Sequence, residues 1–80
     1  MTAAGREDLA LAFGRNLLSA RRRANLSQEE VNIRAGLHRT EVSQLERGLR
    51  VPRIDTLLKL AGALEGAPAE LLNGISWLPA

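Results

Sequence analysis

Apolar residues recur at helical spacing along most of this chain. The first stripe, at steps of three and four residues, consists of Leu9, Phe13, Leu17, Ala20 and Ala24. Such a stripe is typical of an amphipathic helix with one buried face. We expect this helix to begin at Glu7 and to be closed by Asn25.

Short-range signals delimit a second helix. Ser27 and Glu30 have the spacing of a capping box, in which the serine hydroxyl accepts the third helical N–H and the glutamate reaches back. Gly36 is a residue type that adopts the left-handed conformation in which many helices end. The sequence therefore predicts a helix over residues 28–35 and gives Gly36 a structural role in the turn that follows.

Three more helices are expected after this turn. Residues 39–47 place Val42 and Leu45 on one face and stop at Gly48. Pro68 opens a short helix over residues 68–72, because proline is tolerated in a first helical turn. Between them lies a further stripe of Ile54, Leu57, Leu58, Ala61 and Leu64.

No strand pattern competes with these helices. We predict an all-α, compact five-helix domain over residues 7–74. A frayed N-terminus (residues 1–6) precedes it, and a short apolar tail (residues 75–80) follows.

Composition excludes several classes of function. The chain has 80 residues, no cysteine and a single histidine, so no disulfide, metal site or cofactor is expected. It also lacks a His–carboxylate couple and a glycine-rich phosphate loop, and we predict that it is not an enzyme. No apolar run approaches the roughly 20 residues of a membrane helix, and residues 1–7 do not resemble a signal peptide. We expect a cytoplasmic, nucleoid-associated protein with no membrane partner.

The basic residues are mostly of one kind, and the net positive charge is greatest in one segment. Ten of the eleven are arginines, whose planar fork fits phosphate and the guanine edge. A solvated, arginine-rich surface would explain the same composition. However, residues 34–53 contain five arginines and two glutamates, a net charge of +3. The charged residues within 60–80 are two glutamates, a net charge of −2. This separation favours DNA binding at one end of the domain.

The two short helices around Gly36 have the spacing of a helix-turn-helix, approximately residues 28–47. The motif requires five apolar positions, one small position and one glycine at fixed offsets from Gln28. Six of these seven positions fit. The exception is Asn32, which stands at the small position.

Three segments extend the similarity beyond this motif. Residues 26–31 (LSQEEV), 45–48 (LERG) and 52–64 resemble the corresponding segments of the phage-repressor (Cro/XRE-type) helix-turn-helix family. The resemblance covers residues 9–72 and implies a lambda-repressor-like fold. The chain departs from the family at Asn32, where alanine is usual, at His38, where serine is usual, and at residues 65–66.

The resemblance implies that the third helix lies in the major groove of double-stranded DNA, with its N-terminal residues at the base edges. With Val42 and Leu45 buried, the outward face of this helix contains Arg39, Thr40, Ser43, Gln44 and Arg47. Arginine suits guanine, glutamine suits adenine, and a threonine methyl suits thymine. We therefore predict a sequence-specific transcriptional regulator, a repressor, that reads DNA through residues 39–47.

Family resemblance also implies roles for residues around this helix. Gln28 is expected to contact phosphate together with the free amides of its helix. Glu46 and Arg21 are expected to form a structural ion pair. Further candidate phosphate contacts are Ser27, His38, Arg50, Arg53, Arg15 and Arg22.

A single module of this kind reads about half of a site, and family members generally dimerise on near-palindromic operators. We expect a homodimer whose contact is formed by Leu71, Leu72, Ile75, Trp77 and Leu78. Alternatively, Trp77 folds back to complete the small core. An alternative function also remains open, in which the chain is an antitoxin that binds a toxin partner and autoregulates through the same motif.

Overall fold

A computed structural model of the chain describes residues 6–77. Five helices follow one another: α1 (Arg6–Arg23), α2 (Gln28–Ala35), α3 (Glu41–Glu46), α4 (Ile54–Ala63) and α5 (Pro68–Leu71). This described part contains no strand, and the predicted all-α, five-helix fold is confirmed.

Helix α1 is the longest element and supports two others. It packs against α3 and α5, while α4 joins α2 to α5 from the other side. Between these helices lies one aliphatic core, whose largest fully buried side chains are Phe13, Leu17, Leu45, Leu60, Leu71, Val31 and Val42. The core therefore holds the helix-turn-helix between α1 and α4.

The first two helices begin and end close to the predicted positions. Helix α1 starts one residue before Glu7, and Asn25 closes it with a φ of 58°. Residues 1–5 of the predicted frayed segment lie outside the described residues. Helix α2 has the predicted bounds and a complete capping box, and Gly36 ends it with a φ of 68°.

Helix α3 is shorter than predicted. It spans Glu41–Glu46, so Arg39 and Thr40 lie in the turn before it and Arg47 lies at its end. The boundary differs because the amide of Asn32 bonds the backbone of residues 39 and 42 from the neighbouring helix. The predicted reading helix is thus a turn followed by a short helix.

The apolar stripe of α4 is partly on the surface. Ile54 and Leu58 are 74% and 55% exposed, whereas Leu57 and Ala61 are buried as predicted. The contacts of α4 with α2 and α5 turn a different side of the helix inward. This side adds Thr56, Leu60 and Ala63 to the buried set.

The C-terminal segment corrects part of the expected dimer contact. Leu71 is only 2% exposed and belongs to the core, so its expected role as a dimer contact is wrong. Asn16 fixes this region by donating from Nδ2 to the carbonyls of Leu71 and Asn73, both at 2.9 Å. Ile75 is half-buried and packs on the same core.

Two residues of the expected dimer contact remain on the surface. Leu72 is 43% exposed and Trp77 is 57% exposed. The alternative in which Trp77 completes the core is therefore wrong. Leu78 lies outside the described residues.

Candidate nucleic-acid interface

The inner face of α3 is fixed by burial. Val42 and Leu45 are fully buried, while Ser43 and Gln44 are half-buried on the sides of the helix. Arg47 is exposed at its C-terminal end, and its Nε lies 3.4 Å from the carbonyl of Ser43. Only the sides and outer surface of α3 are thus open to a ligand.

The turn before α3 presents two exposed residues of the expected base-reading set. Arg39 and Thr40 are both exposed. Within residues 6–77, the Arg39 guanidinium and the Gln44 amide have no hydrogen-bond or ion-pair partner. Their polar groups are therefore not engaged within the described part of the protein.

Asn32 joins α2 to this turn. Its side chain is buried, with 2% of the residue exposed, and both ends of the amide are used. Nδ2 donates to the Arg39 carbonyl at 3.0 Å, and Oδ1 accepts the Val42 N–H at 3.1 Å. The sequence marks Asn32 as a misfit at the small position, and a buried amide must find partners. The sequence does not show which groups these partners are.

Glu46 joins α3 to both α1 and α2. Its carboxylate accepts Arg21 Nε at 2.6 Å and Arg21 Nη2 at 3.0 Å, which makes the predicted ion pair bidentate. Gln28 Nε2 donates to the same carboxylate at 2.8 Å. The hydrogen bond that Arg21 donates to Glu46 raises the pKa of the Arg21 guanidinium above its ordinary value. Because the side chain of Glu46 is only 5% exposed, solvent screens this cluster little.

The expected phosphate contacts at the start of α2 also have internal roles. The Ser27 hydroxyl accepts the Glu30 N–H at 3.0 Å, which completes the capping box. The side-chain amide of Gln28 donates one N–H to Glu46, and its second N–H makes no hydrogen bond among the described residues. His38 is exposed, and its Nδ1 lies 3.0 Å from Thr40 Oγ1.

Arginine side chains surround α3 without forming one cluster. In the loop before α4, Arg50 is paired with Glu41 on α3, and Arg53 Nε lies 3.2 Å from Asp55 Oδ1. Arg15 and Arg22 are exposed on α1, seven residues apart and so on one side of it. Of these four arginines, Arg50 is paired with a residue of α3 itself.

The described residues contain no group of three acidic or histidine side chains arranged to hold a metal. None of the helices found between residues 6 and 77 is long and apolar enough to cross a bilayer.

Comparison with known proteins identifies the family. The model of the helix-turn-helix family matches residues 17–71. An uncharacterised HTH-type transcriptional regulator of Sinorhizobium fredii, y4dJ, is 42% identical over 66 residues, which are 82% of this chain and 86% of that protein.

Two solved structures have the same fold. One is the restriction-modification controller protein C.AhdI of Aeromonas hydrophila, at a TM-score of 0.75 and 40% identity, covering 78% of this chain and 94% of that one. The other is the P22 c2 repressor in complex with a synthetic operator, at a TM-score of 0.70 and 29% identity, with the same coverage of 78% and 94%. These matches agree with the exposed turn at Arg39 and Thr40 and with the buried Asn32 and Glu46 that hold this segment. The chain belongs to the Cro/XRE-type helix-turn-helix family of DNA-binding transcriptional regulators.

Proposed function

We propose that this regulator is a repressor that binds a near-palindromic operator as a homodimer and reads its bases through the turn at Arg39 and Thr40 and through α3. One observation carries the proposal. Arg39 and Gln44 are free of partners among residues 6–77, while the segment that bears them is held by the buried Asn32 and Glu46.

A fixed backbone that carries side chains without internal partners suits base recognition. A side chain that must pair with a base edge loses less free energy on binding when no internal partner has to be displaced. Arg39 is suited to the O6 and N7 atoms of guanine, and Gln44 to the N6 and N7 atoms of adenine. Thr40, Ser43 and Arg47 complete the reading set on the same segment.

The arginines next to α3 are proposed to hold the duplex by its phosphates. Arg50 and Arg53 are paired with carboxylates, but their side chains are 49% and 82% exposed. Exposed ion pairs of this kind contribute only about 0–1 kcal/mol, so a phosphate can replace the carboxylate. Arg15 and Arg22 on α1, together with Ser27, Gln28 and His38, extend this contact set.

Selection of bound sequences from a random pool of DNA duplexes tests the proposal. We expect a preferred sequence with inverted symmetry. Failure to enrich any sequence at moderate salt, or enrichment of a site without symmetry, would contradict the proposal.

The selected duplex then separates base contacts from phosphate contacts. Arg39→Ala should cost about 1–3 kcal/mol on this duplex and relax the preference at one base position. Arg50→Ala should weaken binding to all duplexes alike. It should also reduce the slope of log affinity against log salt concentration by about one, the value for one phosphate contact. Titration by fluorescence anisotropy at several salt concentrations measures both effects. Equal losses for Arg39→Ala on every duplex would show that Arg39 contacts only the backbone.

The likeness to C.AhdI favours a second, narrower candidate. That protein is a restriction-modification controller, and this chain covers 94% of it. A restriction enzyme and methyltransferase encoded beside the gene, with the selected site upstream of them, would support this role. The antitoxin alternative has no support among these relatives. In either role the protein would act on the nucleoid in the cytoplasm.

A further inference from the structure

Helix α3 has no cap of its own. The first N–H groups of any α-helix need acceptors outside it, and α3 has only six residues. Thr40 occupies the N-cap position, but its side chain makes no capping hydrogen bond. Its Oγ1 lies instead 3.0 Å from His38 Nδ1. The helix that carries the reading residues therefore depends on a partner elsewhere.

Asn32 on α2 is that partner. Its Oδ1 accepts the N–H of Val42, the second residue of α3, which is one of the amides that an N-cap side chain ordinarily satisfies. Its Nδ2 donates to the carbonyl of Arg39 on the other side of the turn. A flipped amide would set donor against donor and acceptor against acceptor, so these two bonds fix one orientation.

We infer that Asn32 is a positioning residue for sequence discrimination, which acts through the backbone of Arg39 and Val42. By holding both ends of the turn, it gives the Arg39 side chain one starting position relative to α3. This inference rests on the proposed function, because it concerns how the same turn distinguishes base sequences. Asn32 itself is buried and touches no DNA.

The variant Asn32→Ala removes both bonds and leaves only a methyl group in place of the amide. The turn should then sample several conformations, each less suited to the operator. We expect affinity for the selected duplex to fall about tenfold, equivalent to about 1.4 kcal/mol. Affinity for a scrambled duplex of equal composition should be unchanged. The ratio of the two affinities therefore falls about tenfold.

A control variant separates this effect from a general loss of stability. Leu71→Val trims the core at α5, far in sequence from the turn. It should lower the melting temperature and keep the affinity ratio of the wild type. Binding is measured by fluorescence anisotropy at a temperature where circular dichroism shows each variant to be folded.

A second variant tests the inference even if Asn32→Ala does not fold. Asn32→Asp keeps an oxygen for the Val42 N–H but sets its other oxygen against the Arg39 carbonyl. We expect Asn32→Asp to remain folded, to retain slow hydrogen exchange at the Val42 amide and to lose discrimination.

The outcomes are distinguishable. A wild type without preference for any duplex contradicts the proposed function itself. A selective wild type, with either Asn32 variant folded and equally selective, overturns the positioning role alone. Loss of the ratio in Leu71→Val to the same degree would also overturn it, because reduced stability would then explain the effect.

Discussion

Gly14 lets the backbone of α1 touch the end of α3. A Cβ placed on this residue would lie 2.5 Å from the carbonyl oxygen of Leu45 and 2.8 Å from that of Glu46. Both neighbours are backbone atoms, which cannot rotate away as a side chain can. The position of α3 against α1 therefore depends on the absence of a side chain at one residue.

The variant Gly14→Ala should destabilise the protein by about 1–3 kcal/mol, the usual cost of overpacking a core. Gly62→Ala is the matched control, because Gly62 is also helical and a Cβ there would meet nothing within 4 Å. There the gain in helix propensity, up to about 1 kcal/mol, should raise stability. Urea unfolding followed by circular dichroism measures both. Equal stabilisation by the two alanines would show that α1 and α3 separate at no cost.

At the scale of elements, the helices differ in how local their determinants are. Ser27, Glu30 and Gly36 all lie within or next to α2, and the sequence predicts its bounds correctly. The start of α3 is set by Asn32, seven and ten residues before the backbone groups that it bonds, and the predicted start is wrong by two residues. Local signals do not contain such a tertiary cap.

The local sequence pattern also does not predict which apolar residues at the short C-terminal helix α5 are buried. Leu71 and Leu72 are adjacent apolar residues of similar character, but only the first reaches the core. The direction of α5 against α1 and α4 decides between them, and this direction depends on contacts such as those of Asn16 with residues 71 and 73.

Within the candidate site, the expected ion pair between Arg21 and Glu46 is present. The pairing of Arg50 with Glu41 was not anticipated because the loop conformation sets it.

The capping box of α2 should make stability depend on acidic pH. The N–H of Ser27, followed by its hydroxyl, lowers the pKa of Glu30 below its ordinary value of about 4.5. The folded state thus favours the charged carboxylate. Its contribution is complete above about pH 4.5 and is lost as the pH falls through the lowered pKa.

Glu30→Gln should remove this dependence, since glutamine accepts the Ser27 N–H without titrating. We expect the variant to resemble the wild type at neutral pH and to lose less stability in acid. Glu29→Gln serves as the control, because it removes an equal charge from the same turn but makes no capping contact. Thermal melts at neutral and acidic pH test this. Identical acid profiles for wild type and Glu30→Gln would contradict it.

At the scale of the whole molecule, size explains why a dimer is expected. The domain measures 39 × 21 × 20 Å and carries one reading segment. Successive major-groove half-sites on one side of a duplex are about 34–36 Å apart. One copy would therefore span about one half-site, and the symmetric operator proposed above would require two copies related by a twofold axis.

Trp77→Ala tests where such a dimer forms. Trp77 is 57% exposed and Leu72 is 43% exposed, and removal of the Trp77 side chain should favour the monomer in sedimentation while helicity is kept. Leu58→Ala is the comparison variant, because Leu58 is equally exposed at 55% but lies on α4. A shift toward monomer in Leu58→Ala, with none in Trp77→Ala, would move the interface to α4.

The shared carboxylate of Glu46 has a consequence for redesign. Because the buried Glu46 carboxylate joins α3 to α1 and α2, the residues that hold this segment are separate from the three proposed to face the bases. We therefore expect Arg39, Thr40 and Gln44 to accept other side chains while the helices beneath them stay in place. Altering these three positions is expected to change the operator preference of the domain.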